Sequence, residues 1–239
     1  MRKNKGDKKG IIIYVVLGFF LVVALVMILW EPIKSLIRQN VIEDNIKIIE
    51  SNISDGNPDI TVEIPLTDSL SIAGEDTEDE EDLDSLFEDI AEYSGAKKSL
   101  HCLGILEVPS INVKEPVYAE CDRVSLRYGV AHYPNSADFG TNGNATILGH
   151  RNRHISTIFY LLQRISDKAV VKLTLSSGEV LYYEVYKRVN VGPSELAGYI
   201  DSTASKKEQL SLVTCATERG KGWRFIAICR PLTDDSKKF

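Results

Sequence analysis

Only four of the 239 residues are cysteine, and they form neither a C-x-x-C pair nor a Cys/His cluster at zinc-finger spacing. A disulfide-scaffold class and a structural metal site are thereby set aside. Sixteen glycines and eight prolines are too few for a collagen-like chain. With 44% apolar and 26% charged residues, the chain is not a wholly disordered one either. No internal repeat is evident. What remains is one globular domain with appendages, since 239 residues enclose a core without disulfide or metal staples.

Two segments each lack something. Ile11 to Trp30 lacks any charge over twenty residues, the length a helix needs to cross the hydrocarbon core of a bilayer. Arg2, Lys3, Lys5, Lys8 and Lys9 precede it against Asp7 alone, so residues 1–10 read as a cytoplasmic basic tail and everything after Trp30 as extracellular. The run ends in Trp30-Glu31-Pro32 without an A-x-A-like exit, which favours an uncleaved signal anchor over residues 11–30. Glu75 to Glu92 lacks Lys and Arg but holds eleven acids. That block alone sets the sign of the net charge of −6; the rest of the chain is net positive, and nucleic acid is not implied. Such a block reads as a solvated spacer. Leu83, Leu86, Phe87 and Ile90 nevertheless recur at helical spacing, so a short amphipathic helix docking on a basic surface is the alternative.

Residues 31–98 therefore read as an extracellular stalk, with helical pattern over Glu31 to Ile49 and breaker residues from Ser51 to Pro58. From residue 99 to 239 the texture is mainly β, short alternating runs bounded by turn residues. Leu103–Val108 and Ala145–Gly149 are expected strands. Ala169–Leu175 and Val180–Val189 form the clearest hairpin, and Gln209–Cys215 pairs with Trp223–Cys229. Further short strands are expected between Val113 and Ala131, and a short helix on Ile158, Leu161, Leu162 and Ile165, capped by Ser156 or Thr157. Seven or eight strands in about 140 residues suit a closed barrel, which leaves no exposed edge.

Three residues at strand ends carry chemistry. Cys215 closes one strand, His150 follows another, and Arg224 opens the strand after Cys215. A cysteine nucleophile needs thiolate character, which an imidazole supplies as base or cation. A guanidinium, always charged, stabilises the oxyanion of a tetrahedral intermediate and holds a substrate backbone.

Four stretches make this set specific. Gly104–Val113 (GILEVPSINV) with Glu115–Tyr118 (EPVY), Gly129–Ala137 (GVAHYPNSA), Gly143–Arg151 (GNATILGHR) and Leu212–Cys215 (LVTC), followed by Arg224 in WRFIAI, resemble in order and spacing the sortases, membrane-anchored cysteine transpeptidases of Gram-positive surfaces. The resemblance spans about Leu103 to Arg230. It implies a closed eight-stranded sortase-type β-barrel with one or two short helices. It also implies Cys215 as nucleophile, His150 as general acid/base, Arg224 as oxyanion and substrate-positioning donor, and Thr214, His132 and Ala216 as substrate-binding neighbours. The implied partners are secreted proteins with a C-terminal Leu-Pro-x-Thr-Gly-like (LPXTG-like) sorting signal. The acceptor is an amine on a lipid II peptide or a pilin lysine. No cofactor or metal is implied, and calcium is not indicated. Ser211 stands where many members have Thr. The chain shows no C-terminal membrane helix of the class C kind and no long helical insertion of the class B kind between Asn190 and Lys207, which favours a class D-like member. Thr67 to Ser94 is placed as a class C lid would be, although the aromatic lid motif is missing.

Rival readings are a membrane-anchored cysteine protease and a barrel that binds without catalysis. Papain-like enzymes place Cys before His, opposite to the order here. The His-x-x-Gly and Ser-x-Gly-Cys-x-Arg pattern of L,D-transpeptidases is absent. His132 also reads as a structural hydrogen-bonding residue, His101 and His154 as surface residues, and Cys229 as a barrel-wall thiol. Cys102 and Cys121 either pair or stay reduced, and Arg151 and Arg153 read as loop arginines open to an acidic partner.

Overall fold

A computed structural model describes residues 6–65, 97–151, 158–216, 219 and 222–232. The chain divides into two compact units, residues 1–40 and 41–239. A helix, α1 (Gly6–Ser54), begins in the first unit. Its segment Ile12–Leu29 is long and apolar enough to cross a membrane, and none of it is buried.

In the second unit, nine strands follow: β1 (Ile60–Pro65), β2 (Lys97–Val108), β3 (Val113–Tyr118), β4 (Val130–His132), β5 (Asn144–Leu148), β6 (Val170–Leu175), β7 (Val180–Val191), β8 (Gln209–Cys215) and β9 (Arg224–Pro231). Eight of them close into a barrel in the order β2-β3-β4-β5-β8-β9-β7-β6, with β6 returning to β2. The hinge of the closure is β2. Its first half pairs with β1 and its second half, Gly104 to Glu107, with β6. A bulge against β3 separates the halves. At Gly104 a Cβ would collide with the Thr174 carbonyl oxygen, so a residue without a side chain is required where β6 approaches.

Side-chain alternation gives each strand two faces. One face of all eight strands meets inside the barrel: Leu106, Val117, Val130, Ile147, Leu173, Val185, Leu212 and Ala227 all belong to one buried cluster. The other face carries two separate clusters. On β4, β5, β8, β9 and the end of β7 lie Ala131, Leu148, Val213, Ile226 and Val191, joined by Leu196, Tyr199 and Ile200 of the β7–β8 connection. On β1, β2 and β3, Ile60, Val62, Ile64, Leu100, Ile105 and Tyr118 are covered by Ile46 and Ile49 of α1.

That third cluster revises the stalk. Residues 41–54 and 60–65, expected within an extracellular stalk reaching to residue 98, pack in the folded unit, and the strand expected at Leu103 starts at Lys97. Ile42, Ile46, Ile49 and Ile53 recur at helical spacing and cover the outer face of β1–β2. Asn45 Nδ2 donates to the Tyr118 hydroxyl at 3.5 Å, and Lys114 pairs with Glu50 at 2.7 Å. The acidic block and the segment 67–94 fall outside the described residues.

Two local expectations change. Between Val113 and Ala131 the chain forms β3, a short helix α2 (Arg123–Tyr128) and β4. Asp122 caps α2 through Oδ1, accepting from the Val124 and Ser125 amides at 2.8 and 3.0 Å, and pairs with the buried Lys98. The expected helix around residues 158–165 is instead a turn and a 3-10 segment, Leu162–Arg164. Its apolar residues Ile158, Phe159, Leu162 and Ile165 all face the barrel interior, and the backbone bends to seat them. The β6–β7 and β8–β9 pairs form as read, and the β7–β8 connection carries one short helix, α3 (Ala197–Ile200).

Candidate active site

Strands β5 and β8 run parallel and in register, Leu148 opposite Val213. The Gly149 amide donates to the Val213 carbonyl at 3.1 Å, carrying the pairing past the end of β5. Two residues beyond the Leu148–Val213 pair stand His150 and Cys215. Across the antiparallel β8–β9 pair, Cys215 is the direct partner of Arg224. Three neighbouring strands thus deliver the three residues to one end of the sheet.

They also share a face. His150 has the parity of Leu148, Cys215 that of Val213, and Arg224 that of Ile226, all three of the outer cluster. The offset decides the remaining candidates as well. His132 has the parity of Val130, Thr214 pairs with Phe225, and Ala216 belongs to the interior cluster, so all three lie on the opposite face from Cys215. They were expected as substrate-binding neighbours. In the structure each has an internal partner. Thr214 Oγ1 donates to the Gly149 carbonyl at 2.8 Å, tying β8 to the residue that follows β5. The Ala216 amide donates to the Trp223 carbonyl at 2.9 Å. His132 Nε2 lies 2.9 Å from the Ala137 carbonyl and 3.1 Å from Ser136 Oγ, with its ring edge-on to Phe139. Ser136 Oγ already donates to the Tyr133 carbonyl at 2.7 Å, so Nε2 carries the proton.

Glycine at 149 is dictated by packing. A Cβ there would lie 2.5 Å from the Phe159 ring. The Phe159 amide in turn donates to the His150 carbonyl at 3.1 Å, fixing the backbone at the histidine.

Arg224 is 2% exposed, unusual for a guanidinium. Nη1 donates to the Trp223 carbonyl at 3.1 Å, while Nε is buried without an acceptor among the described residues. A buried N–H lacking an acceptor is costly unless something else supplies one. A carbonyl or oxyanion on the substrate is the chemistry that fits.

The four cysteines, all described, form no disulfide. Cys215 alone is half-exposed; the others are buried. Burial pushes the thiols of Cys102 and Cys121 up to about 12, and that of Cys229 higher still. Thiols so raised hold their protons and do not act as nucleophiles near neutrality. Cys102 and Cys121 lie in different clusters, and Cys229 faces the interior. Arg151 is half-buried, His101 Nδ1 sits 3.4 Å from Asp59 on the surface, and Arg153 and His154 fall outside the described residues.

A separate depression of about 340 Å³, between Asp167, Arg188, Asn190 and Phe225, offers no comparable chemistry. Arg188 there already donates to Asp167 at 2.8 Å and to the Ile165 carbonyl at 3.0 Å. Sequence reasoning missed Asn144, whose buried side chain reaches strand β8 and the β7–β8 connection at once. A polar residue amid an apolar strand was the available signal.

Residues 106–232 match the sortase domain family, just over half of the chain. The chain belongs to the sortase family. Sortase D of Bacillus subtilis is 34% identical over 112 residues, which are 47% of this chain and 53% of that protein. The chain thus spans about half the length of this curated relative. Among solved structures, a Clostridium perfringens sortase D5 transpeptidase aligns with TM-score 0.54 at 18% identity, covering 81% of this chain and 99% of that one. Sortase C1 of Streptococcus suis aligns with TM-score 0.51 at 21% identity, covering 58% and 76%. At such identities the structural likenesses show the sortase fold, and a class D-like member is consistent with the Bacillus subtilis relative.

Proposed function

We infer that the chain is a membrane-anchored cysteine transpeptidase acting on an LPXTG-like sorting signal. The observation that supports this reading is that Cys215 pairs directly with Arg224 across β8–β9 and stands level with His150 when the β5–β8 register is carried two residues past Leu148 and Val213. The Cys215 thiolate attacks the carbonyl carbon of the signal's Thr. Arg224, with its unsatisfied Nε, donates to the oxyanion. The Thr–Gly C–N bond breaks, and the His150 imidazolium gives its proton to the leaving amine. An incoming amine then attacks the thioester, His150 takes the amine's proton, and Cys215 departs as thiolate.

The acceptor is the amine of a lipid II peptide or of a pilin lysine, and secreted proteins bearing the signal are the donors. Ile12–Leu29 supplies the anchor, and the basic residues before it put the N-terminus inside and the barrel outside. The experiment is turnover of an LPXTG-like peptide panel by the full chain in detergent, with and without triglycine. Amine-dependent ligation is expected. Hydrolysis indifferent to amine identifies a cysteine protease, and no turnover by a folded protein identifies a binding barrel.

A further inference from the structure

The face that carries Cys215 holds a second feature at its far end. Asn144 and Thr146 have the parity of Leu148 on β5, and six residue steps separate Asn144 from His150, at most about 20 Å of extended chain. Both are fully buried. Asn144 uses all of its hydrogen-bonding capacity. Nδ2 donates to Thr146 Oγ1 at 2.9 Å and to the Tyr199 carbonyl at 3.0 Å, while Oδ1 accepts from Gln209 Nε2 and Ser211 Oγ, each at 2.8 Å. Thr146 Oγ1 passes the chain on, donating to the Ile200 carbonyl at 2.8 Å.

Tyr199 and Ile200 end α3, where helix carbonyls lack intrahelical donors. The β7–β8 connection they belong to starts beside the reactive end. Val191 pairs with Arg224, and Gly192 abuts the Trp223 ring. From there it crosses the outer face, laying Leu196 and Ile200 on Val213, Leu148 and Ile226. Its near end is tied to Arg224 by the strand ladder; its far end is tied by two side chains of β5, with the Ser202 amide donating to the Asn135 carbonyl at 3.0 Å beside them.

We propose that Asn144 and Thr146 are positioning residues, a buried latch that holds the β7–β8 connection as a fixed wall along the face where the peptide must lie. They touch no reacting atom. This inference rests on the transpeptidase reading above. Releasing the latch loosens the wall and weakens peptide binding, while the reactive end keeps its geometry.

The test compares Thr146→Val, which removes the hydroxyl but keeps the shape, with Thr146→Ser, which restores the hydroxyl. Tyr183→Phe serves as a destabilising control on the interior face, losing a 2.9 Å bond to Glu208. Full-chain protein in detergent is assayed with the best-turned-over peptide of the LPXTG-like panel. Hydrogen exchange of residues 196–204 is measured alongside, as is the rate of Cys215 alkylation by iodoacetamide. Thr146→Val is expected to raise KM about five- to tenfold, with kcat and alkylation within about twofold of wild type and faster exchange in 196–204. Thr146→Ser is expected to match wild type, and Tyr183→Phe to lower thermal stability without moving KM. Unchanged exchange in Thr146→Val overturns the latch. Faster exchange with unchanged KM overturns its role in binding. If wild type turns over no peptide, the transpeptidase reading fails and takes the binding role with it, while the exchange data still decide whether the latch exists.

Discussion

The two faces of strands β5, β8 and β9 are built from alternating residues of the same five- to eight-residue runs, yet they differ in character. On the interior face Ile147, Leu212 and Ala227 are fully buried, and Thr214 bonds only to a neighbouring strand. The outer face begins with a fully satisfied Asn144 and ends with Arg224, whose Nε has no acceptor among the described residues. Cysteine makes the contrast sharp. Cys229 on the interior face holds its proton because burial raises its pKa, whereas Cys215 on the outer face is half-exposed. The interior face is thus uniformly packed, while the outer face carries the proposed reactive residues at one end, with a one-residue step separating the two faces.

The largest expected effect comes from breaking the reactive face. Cys215→Ala should reduce acyl transfer to background, and Arg224→Ala should cost about 10²- to 10³-fold in kcat, as loss of an oxyanion donor does elsewhere. Both variants should keep the wild-type circular dichroism spectrum. Next comes the outer cover on the other side of the barrel. A chain starting at Gly95 loses Ile46, Ile49 and the whole of β1, exposing Leu100, Ile105 and Tyr118. Each large side chain so uncovered forfeits about 1.5–3 kcal/mol. That chain should aggregate or melt far below one starting at Val41, as calorimetry would show.

Leu212→Ala breaks the interior face alone and should destabilise by about 2–5 kcal/mol in urea titration, with activity per folded molecule retained. Per group and per pH unit, the smallest effect sharpens the comparison through pH. Cys102, Cys121 and Cys229 are protonated when folded and ionise near 9.0 when unfolded, and Tyr118 and Tyr183 are likewise raised by burial. Their contribution is fully present below pH 9 and is lost as pH rises towards 12, at about 1.4 kcal/mol per pH unit for each ionising group. The melting temperature should fall steadily over that window while remaining flat from pH 7 to 8.5.

Much of this was legible in the residues. The β6–β7 hairpin showed in its alternation, and the Cys, His and Arg showed by sitting at strand ends in a family pattern. What stayed hidden depended on partners distant in sequence. Ile60–Pro65 is six residues long and lies between polar stretches; only its pairing with Lys97–Cys102 makes it a strand. The inward turn of Thr214, His132 and Ala216 follows from strand register, which a motif does not encode. Asn144 read as part of a motif, while its bonds to Ser211 and Tyr199 bridge 67 and 55 residues.

The central claim is that the outer-face thiol forms an acyl intermediate which an amine resolves. The most direct measurement is intact-mass spectrometry of the full chain quenched during turnover of the LPXTG-like panel, followed by peptide mapping. The account predicts a mass increase equal to the acyl part of one peptide, located on Cys215, absent from Cys215→Ala and discharged by triglycine. A panel peptide cleaved at an undiminished rate by Cys215→Ala, or an adduct mapped to Cys102, Cys121 or Cys229, would contradict it.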